Sequence, residues 1–250
     1  MKQVTLGFVP TRRNIFSAPA AVEYADLTRK RLEQLGVRFV DVTGINPEGL
    51  FYDEADRAAV SRRFREAHVD GLLIASTMED FSRFESLIPA GFPVVLVDRT
   101  FDTKRFPSVS VSNFQPIYRS VCRLAGKGDK RIGMIGGLPR LSSTKERIAA
   151  YQEAVADCGL PQDDLLIRYG NSMENSAQSC LDELLEQKCD ALVVAQGLMA
   201  SETVIYLHKK GLKLGEDIDL VTFVDYDSDI NYLYSKQMDC IIQPVEELGT

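Results

Sequence analysis

The sequence predicts an α/β protein made of two doubly wound lobes, each built on a parallel sheet. Three observations predict it. Short apolar runs bounded by turns recur along the 250-residue chain, the pattern of parallel strands buried on both faces. Stretches with helical spacing separate these runs almost without exception. The alternation then restarts midway, giving an N-terminal lobe over residues 1–110 and a C-terminal lobe over 111–243, with 244–250 opening a return segment.

The first lobe opens on an apolar strand, Val4–Val9, stopped by Pro10. Pro19–Leu35 is a helix closed by Gly36, with Ala21, Tyr24, Ala25, Leu27, Thr28, Leu32 and Leu35 tracing a stripe. Strand Arg38–Val42 leads through a loop rich in Gly, Asn and Pro to a helix over Asp53–Ala67. Strand Gly71–Ala75, a short helix Phe81–Ile88 and strand Val94–Val97 follow, the last ending at Asp98-Arg99. Ser108–Val111 is a short alternating strand and the candidate crossing between lobes. The second lobe runs through helix Pro116–Ala125, strand Ile132–Ile135, a helix opening near Thr144, strand Leu165–Tyr169 and helix Ala177–Gln187. It continues with strand Ala191–Ala195, helix Ala200–Lys210, strand Leu220–Phe223, a helical turn around Ile230–Tyr234 and strand Asp239–Gln243.

The bulk numbers narrow the function. A net charge of -7 argues against non-specific nucleic-acid binding through this chain. No apolar stretch approaches the roughly 20 residues needed to span a bilayer, and Met1-Lys2-Gln3 leads straight into a strand rather than a signal peptide. The five cysteines are odd in number, scattered and without a CxxC pair, so reduced thiols in a cytoplasmic protein are expected. His68 and His208 lie in helix-like sequence, which points to surface or helix-end positions and away from a His-based catalytic or metal site. No cofactor is expected: the chain has no Walker loop, no GxGxxG and no HExxH.

Open α/β sheets bind ligands outside the carboxyl ends of their strands. The loops there are Thr11–Ser17, Ser76–Asp80 and Asp98–Phe101 in the first lobe, and Leu138–Ser143, Asn171–Ser176, Gln196–Met199 and Asp225–Asp229 in the second. They hold hydroxyls, amides, arginines, acids and a few rings, the inventory for a polar small molecule such as a sugar in a cleft that closes by hinge motion. Asn14, Phe16, Asp98, Ser142, Arg147 and Asp225 are the candidate ligand-binding residues. Phe16 reads either as a stacking platform or as core. Ser142, Ser143 and Thr144 are able to cap the helix that carries Arg147. A cation in a first turn opposes the helix dipole, so Arg147 serves either a ligand or a neighbouring carboxylate.

From about Phe92 to Gly249, with its character reaching back to about residue 76, the chain resembles the effector-binding core of the LacI/GalR regulators. Those cores have the type I periplasmic-binding-protein fold, two flavodoxin-like or Rossmann-like lobes. The matching stretches are FPVVLVDR, PSVSVSN, GDKRIGMIGG, SSTKERIAAYQEAV, DALVVAQGLMA, GLKLGEDIDLVTF and IIQPVEELG. The resemblance implies a sugar-like effector. By position Asp98 and Arg147 match ligand-contacting residues of that family, and Asn14 with Phe16 match its first-loop contacts more loosely. Two positions depart: Gly197 stands where the family usually has an acid, and FVD replaces GFD or GYD, displacing Asp225 by one.

Residues 1–75 are more similar to the N-terminal region of L-fucose/L-arabinose isomerase-like proteins, through VTLGFVPTRRNIFS, KRLEQLGVRFVDV and INPEGLFYDEADRAAV with VDGLLI. A hybrid of two flavodoxin-like pieces is therefore expected ahead of a regulator with a divergent first lobe. The leading expectation for function is a non-enzymatic sugar- or polyol-binding module without the family's helix-turn-helix head. An engineered scaffold with no native ligand and an isomerase fragment are the alternatives. The resemblance also implies a homodimer, for which Phe81, Phe84 and Leu87 either supply the interface or face the core of the first lobe.

Overall fold

In the computed structural model, residues 4–10, 18–51, 54–74, 82–98, 100, 105–171, 176–224, 233–234 and 236–244 are described. The chain divides into two compact units, Met1–Val109 and Ser110–Thr250.

In the first unit β1 (Thr5–Phe8), α1 (Ala18–Gln34), β2 (Arg38–Asp41), α2 (Arg57–Glu66), β3 (Gly71–Ile74), α3 (Ser82–Leu87), β4 (Val94–Val97) and β5 (Ser108–Val109) follow in order. The strands form one parallel sheet in the order β2-β1-β3-β4-β5. Ser108–Val109, the expected crossing, is its last strand, paired to β4. The α1 stripe is narrower than its sequence suggests: Ala25 is buried, whereas Tyr24 is 70% and Leu35 58% exposed. Arg29 takes the inward position one turn after Ala25, binding Asp41 at 2.6 Å and the Gly49 carbonyl at 3.1 Å. A 3-10 turn over Glu54–Asp56 precedes α2, so the helix expected from residue 53 begins at Arg57.

The second unit carries α4 (Phe114–Lys127), β6 (Ile132–Gly136), α5 (Ser142–Asp157), β7 (Ile167–Tyr169), α6 (Ser176–Glu186), β8 (Ala191–Val194), α7 (Gly197–Lys209), β9 (Asp219–Val224) and β10 (Asp239–Ile242). Its parallel sheet has the order β10-β9-β8-β6-β7. Counted from the first strand of each sheet, both units have the same strand order, that of flavodoxin-like doubly wound sheets. β1 and β6 lie in separate sheets.

Side chains alternate along β6, β8 and β9, which splits the second unit's core into two layers. Ile135, Leu192, Val194 and Leu220 pack with residues of α6 and α7, among them Leu181, Leu184, Val204 and Leu207. Ile132, Met134, Val193, Val221 and Phe223 pack with α4 and α5, where Ile117, Val121 and Leu124 form an i, i+4, i+7 stripe. Gly128 closes α4 in the left-handed region with φ 116, its N–H on the Ala125 carbonyl, while Asp129 N–H returns to Leu124. A residue with a β-carbon is strained in that conformation.

Several helices of this unit start earlier than their sequences suggest, and a neighbouring carboxylate explains α4. Glu146 Oε1 accepts the N–H groups of Asn113 and Phe114, both at 3.0 Å. Pro116 then sits in the first turn, where no N–H is needed. Glu202, from α7, does the same for α6 by accepting from Ala177 and Gln178, both at 3.2 Å. α7 itself begins at Gly197 rather than Ala200, with Met199 N–H on the Gln196 carbonyl at 3.0 Å.

Candidate ligand-binding site in the second unit

In the second sheet the chain goes from β6 out to β7 and returns to the other side of β6 to form β8. The crevice outside the carboxyl ends of β6 and β8 is thus the switch point at which doubly wound sheets take ligands. Gly137, Thr144, Arg147, Ala195, Gln196 and, from β9, Phe223 are brought together around this end of the sheet.

Arg147 is half-buried and tied to three elements. Its Nε donates to Asn113 Oδ1 at 2.8 Å, its Nη1 to the Ala195 carbonyl at 2.5 Å, and its guanidinium carbon lies 3.8 Å from the centroid of the Phe223 ring. Because α5 starts at Ser142, Arg147 falls in the second turn, not the first. Its hydrogen bonds to an amide oxygen and a backbone carbonyl add a third role, tying α5 to the start of α4 and the end of β8, to the ligand and carboxylate roles expected from the sequence. Asn113 is nearly buried, at 3% exposure, and donates to Val111 O and Glu146 Oε2, each at 3.3 Å. Glu146, Asn113 and Arg147 therefore form one network linking the starts of α4 and α5.

Gln196 brings an unsatisfied acceptor to this end of the sheet. Its Oε1 is buried and, among the described residues, has no hydrogen-bond partner. A buried acceptor left unpaired costs about 1–3 kcal/mol, a cost that a donor hydroxyl removes. Gly137 makes room for it: a β-carbon there would stand 2.6 Å from Gln196 Oε1 and 3.1 Å from Thr144 Oγ1. At Gly197 a β-carbon would meet the Phe223 carbonyl at 3.3 Å, so the acid usual in related sequences has little room here.

The other expected residues fall in several places. Ser142 is the first residue of α5, half-buried, and the cap position is Leu141, which makes no side-chain cap. Asp98 follows β4 in the first unit with φ 65, its N–H on the Val109 carbonyl at 2.9 Å. That left-handed conformation is several-fold enriched for Asp. Asn14, Phe16 and Asp225 lie outside the described residues, as do the loops 11–17 and 225–229. Phe81 and the side chains of Phe84 and Leu87 are also outside them. Asn113 and Phe223 were not among the candidates, and Gln196 entered only as the start of the expected cleft loop Gln196–Met199. Gln196 was detectable as the polar residue directly ending the apolar run ALVVA, whereas Phe223 reads as ordinary core.

His68 and His208 are exposed at helix ends. Among the described residues no group of three or more His, Cys, Asp or Glu is placed to hold a metal ion. No described helix is long and apolar enough to cross a membrane.

The two sheets and the polar crevice define a protein of the ligand-binding doubly wound class. Residues 40–245 match the family described as periplasmic binding proteins and sugar binding domain of LacI family, and the chain belongs to that family. Among curated relatives, the HTH-type transcriptional regulator CelR of Thermobifida fusca is 28% identical over 186 residues, 73% of this chain and 54% of the relative. Catabolite control protein A of Priestia megaterium is 26% identical over 184 residues, 72% of this chain and 55% of the relative. The chain thus spans about half the length of these two. An uncharacterised HTH-type regulator of Streptomyces limosus aligns over 93% of this chain and 66% of its own length at 27% identity. Among solved structures, transcription regulator CcpA of Lactococcus lactis shares the fold with a TM-score of 0.76 at 24% identity, covering 99% of this chain and 88% of that one. The match from residue 40 and the alignment over 93% of the chain favour one family throughout over the expected hybrid. The matched relatives are transcriptional regulators rather than enzymes.

Proposed function

We propose that this chain is a non-enzymatic effector module that binds a neutral sugar or polyol at the carboxyl ends of β6, β8 and β9, in a cytoplasmic regulator. The observation that carries the reading is the unpaired, buried Gln196 Oε1 beside Gly137, next to a guanidinium fixed over an aromatic ring. A buried, unpaired acceptor beside a fixed guanidinium suits the hydroxyls of a small polar ligand. The solved relative CelR is a cellobiose complex, which supports the ligand class. Arg147 and Gln196 are the proposed primary contacts, with Ser142, Asp98, Asn14, Phe16 and Asp225 as further ligand-binding positions. The chain pairs as a homodimer; Leu198 and Ile205, each about half exposed and two turns apart on α7, are apolar residues open to such pairing. Light scattering at tens of micromolar that gives a monomer removes the dimer.

A thermal-shift screen of pentoses, hexoses, disaccharides and their phosphates, with and without Mn²⁺, tests the ligand. At 100 times Kd a ligand adds about 2.7 kcal/mol, which at roughly 2–4 °C per kcal/mol is a clear rise in Tm. Stabilisation by a sugar without metal supports the module. A strict Mn²⁺ requirement or no shift with any compound overturns it.

A further inference from the structure

Further along the two helices that carry Asn113 and Arg147, α4 and α5 bring two thiols together. Cys122, in the third turn of α4, and Cys158, the cap residue ending α5, stand with their sulfurs 3.4 Å apart, and the Cys158 thiol donates to Cys122 Sγ. Both are half-buried, whereas Cys180 and Cys189 are buried. The helices are held beside each other independently of the sulfurs. Tyr118 donates to Asp157 Oδ2 at 2.8 Å one turn before Cys122, and Phe114 and Phe223 belong to the same packed layer as Val121 and Val155. The sulfurs therefore meet because the helices pack there.

We propose that Cys122 and Cys158 are a redox-active pair that closes to a reversible disulfide under hydrogen peroxide. The Cys122 thiol loses its proton and attacks one peroxide oxygen; the O–O bond breaks, the sulfur becomes a sulfenic acid and one water leaves. The Cys158 thiol then loses its proton and attacks that sulfur, the S–O bond breaks and a second water leaves. Two thiols and one peroxide give one disulfide and two waters, and a dithiol reductant reverses the change.

The order of attack follows from the hydrogen bond. Burial, and then the bond to Cys122, push the Cys158 thiol up to about 11, so it holds its proton as the donor and Cys122 becomes the first nucleophile. In the product the S–S bond is about 2.05 Å, so the sulfurs must approach by more than 1 Å, a movement that side-chain rotation on two adjacent helices can supply. The disulfide closes the chain over α4, β6 and α5, which lowers the entropy of the unfolded state and raises Tm.

The experiment is peroxide titration of the reduced full chain, alkylation, digestion and mass spectrometry. The expected result is a cross-linked pair of peptides containing Cys122 and Cys158, 2 Da lighter than the sum of the free peptides, that dithiothreitol separates. Tm rises on oxidation and falls back on reduction. Cys158→Ser stops at a dimedone-trappable sulfenic acid on Cys122, while in Cys122→Ser the remaining Cys158 is trapped far less. Both thiols staying alkylatable, or both oxidising separately without a cross-link, overturns the proposal. So does a cross-link through Cys180, Cys189 or Cys240 instead. The wild-type mapping requires no variant, so a misfolded serine variant leaves the result intact.

Discussion

At the scale of single residues Arg147 joins stability to binding. Its bonds to Asn113 and Ala195 and its stacking on Phe223 mean that its loss is felt in the apo protein. Placed in a first turn, Arg147 would be nearly dispensable for folding, but the second-turn position and three partners reverse that expectation. Hydrogen bonds to a charged group contribute about 1.5–3 kcal/mol each at most and the stacking about 0.5–2. Arg147→Ala should therefore lower apo Tm by several degrees and also abolish the sugar-induced shift. Arg147→Lys keeps the charge but loses the planar fork, so most binding should still be lost with a smaller fall in Tm. Differential scanning fluorimetry with and without sugar reads both, and an Ala variant that binds normally would falsify the contact. Asp129 gives a second test at this scale. Burial first, then the charges of Asp219 and Asp190, raise its carboxyl to about 6, and its Oδ2 has no hydrogen-bond partner among the described residues. A folded pKa above the unfolded value near 3.8 means the native state takes up the proton more readily. Stability contributed by this group is present at low pH and is lost as pH rises through about 6. The carboxyl is partly exposed, so screening limits the effect to below about 1 kcal/mol. Asp129→Asn should raise Tm by roughly 1–3 °C at pH 8 and by clearly less at pH 4.5; an unchanged Tm at both values would refute the assignment.

Elements are positioned by carboxylates that the sequence shows but whose partners it hides. Asp190, just before β8, accepts the N–H groups of Lys130 and Arg131 at the entrance of β6, both at 2.9 Å, and its own N–H returns to the Arg131 carbonyl at 3.1 Å. In the first unit Asp70, just before β3, accepts from Thr5 N–H at 2.9 Å and donates to the Thr5 carbonyl at 2.9 Å. The stretches VDGLLI and CDALVV thus start the same strand of the two sheets with the same clasp. Asp190→Ala should cost about 2 kcal/mol, since two charged hydrogen bonds are lost at a partly exposed site. Thermal melting reads this as roughly 4–8 °C, and a fall of less than a degree would mean the clasp is decorative. Strand positions were legible because a buried parallel strand writes its own apolar run. The starts of α4 and α7 were not, since the Glu146 that holds the first N–H groups of α4 lies on another helix. The unpaired Gln196 oxygen was hidden for a similar reason, since the space it occupies is left by Gly137 on a neighbouring loop.

The whole molecule is unevenly built. Among the described residues the first unit's main apolar cluster is Ile88, Val94, Leu96 and Phe106, and Leu73, on a strand inside its sheet, is 54% exposed. The second unit buries two full layers, with Ile117, Leu124, Ile135, Leu181, Leu192 and Met199 almost inaccessible. Local opening follows buried apolar packing, so the first unit should open first. Limited proteolysis should cut within residues 1–109 and leave a resistant fragment beginning near residue 110, identified by mass spectrometry. Early cleavage inside α4–β6 would contradict this. The α/β class and the strand order were open to reading because alternation is a whole-chain pattern. Loops 11–17 and 225–229 offered only their composition, and a loop's chemistry depends on where its neighbours stand.

The carboxylate of Glu146 also bears on which ligands the crevice admits. The start of a helix ordinarily draws anions, since its free N–H groups and dipole favour negative charge. At α4 those donors are already held by Glu146, and at α6 by Glu202. A phosphate approaching the end of α4 beside Arg147 would meet the Glu146 carboxylate where the first backbone donors would otherwise receive it. If the proposed site holds, a neutral sugar should therefore raise Tm more than its phosphate ester does.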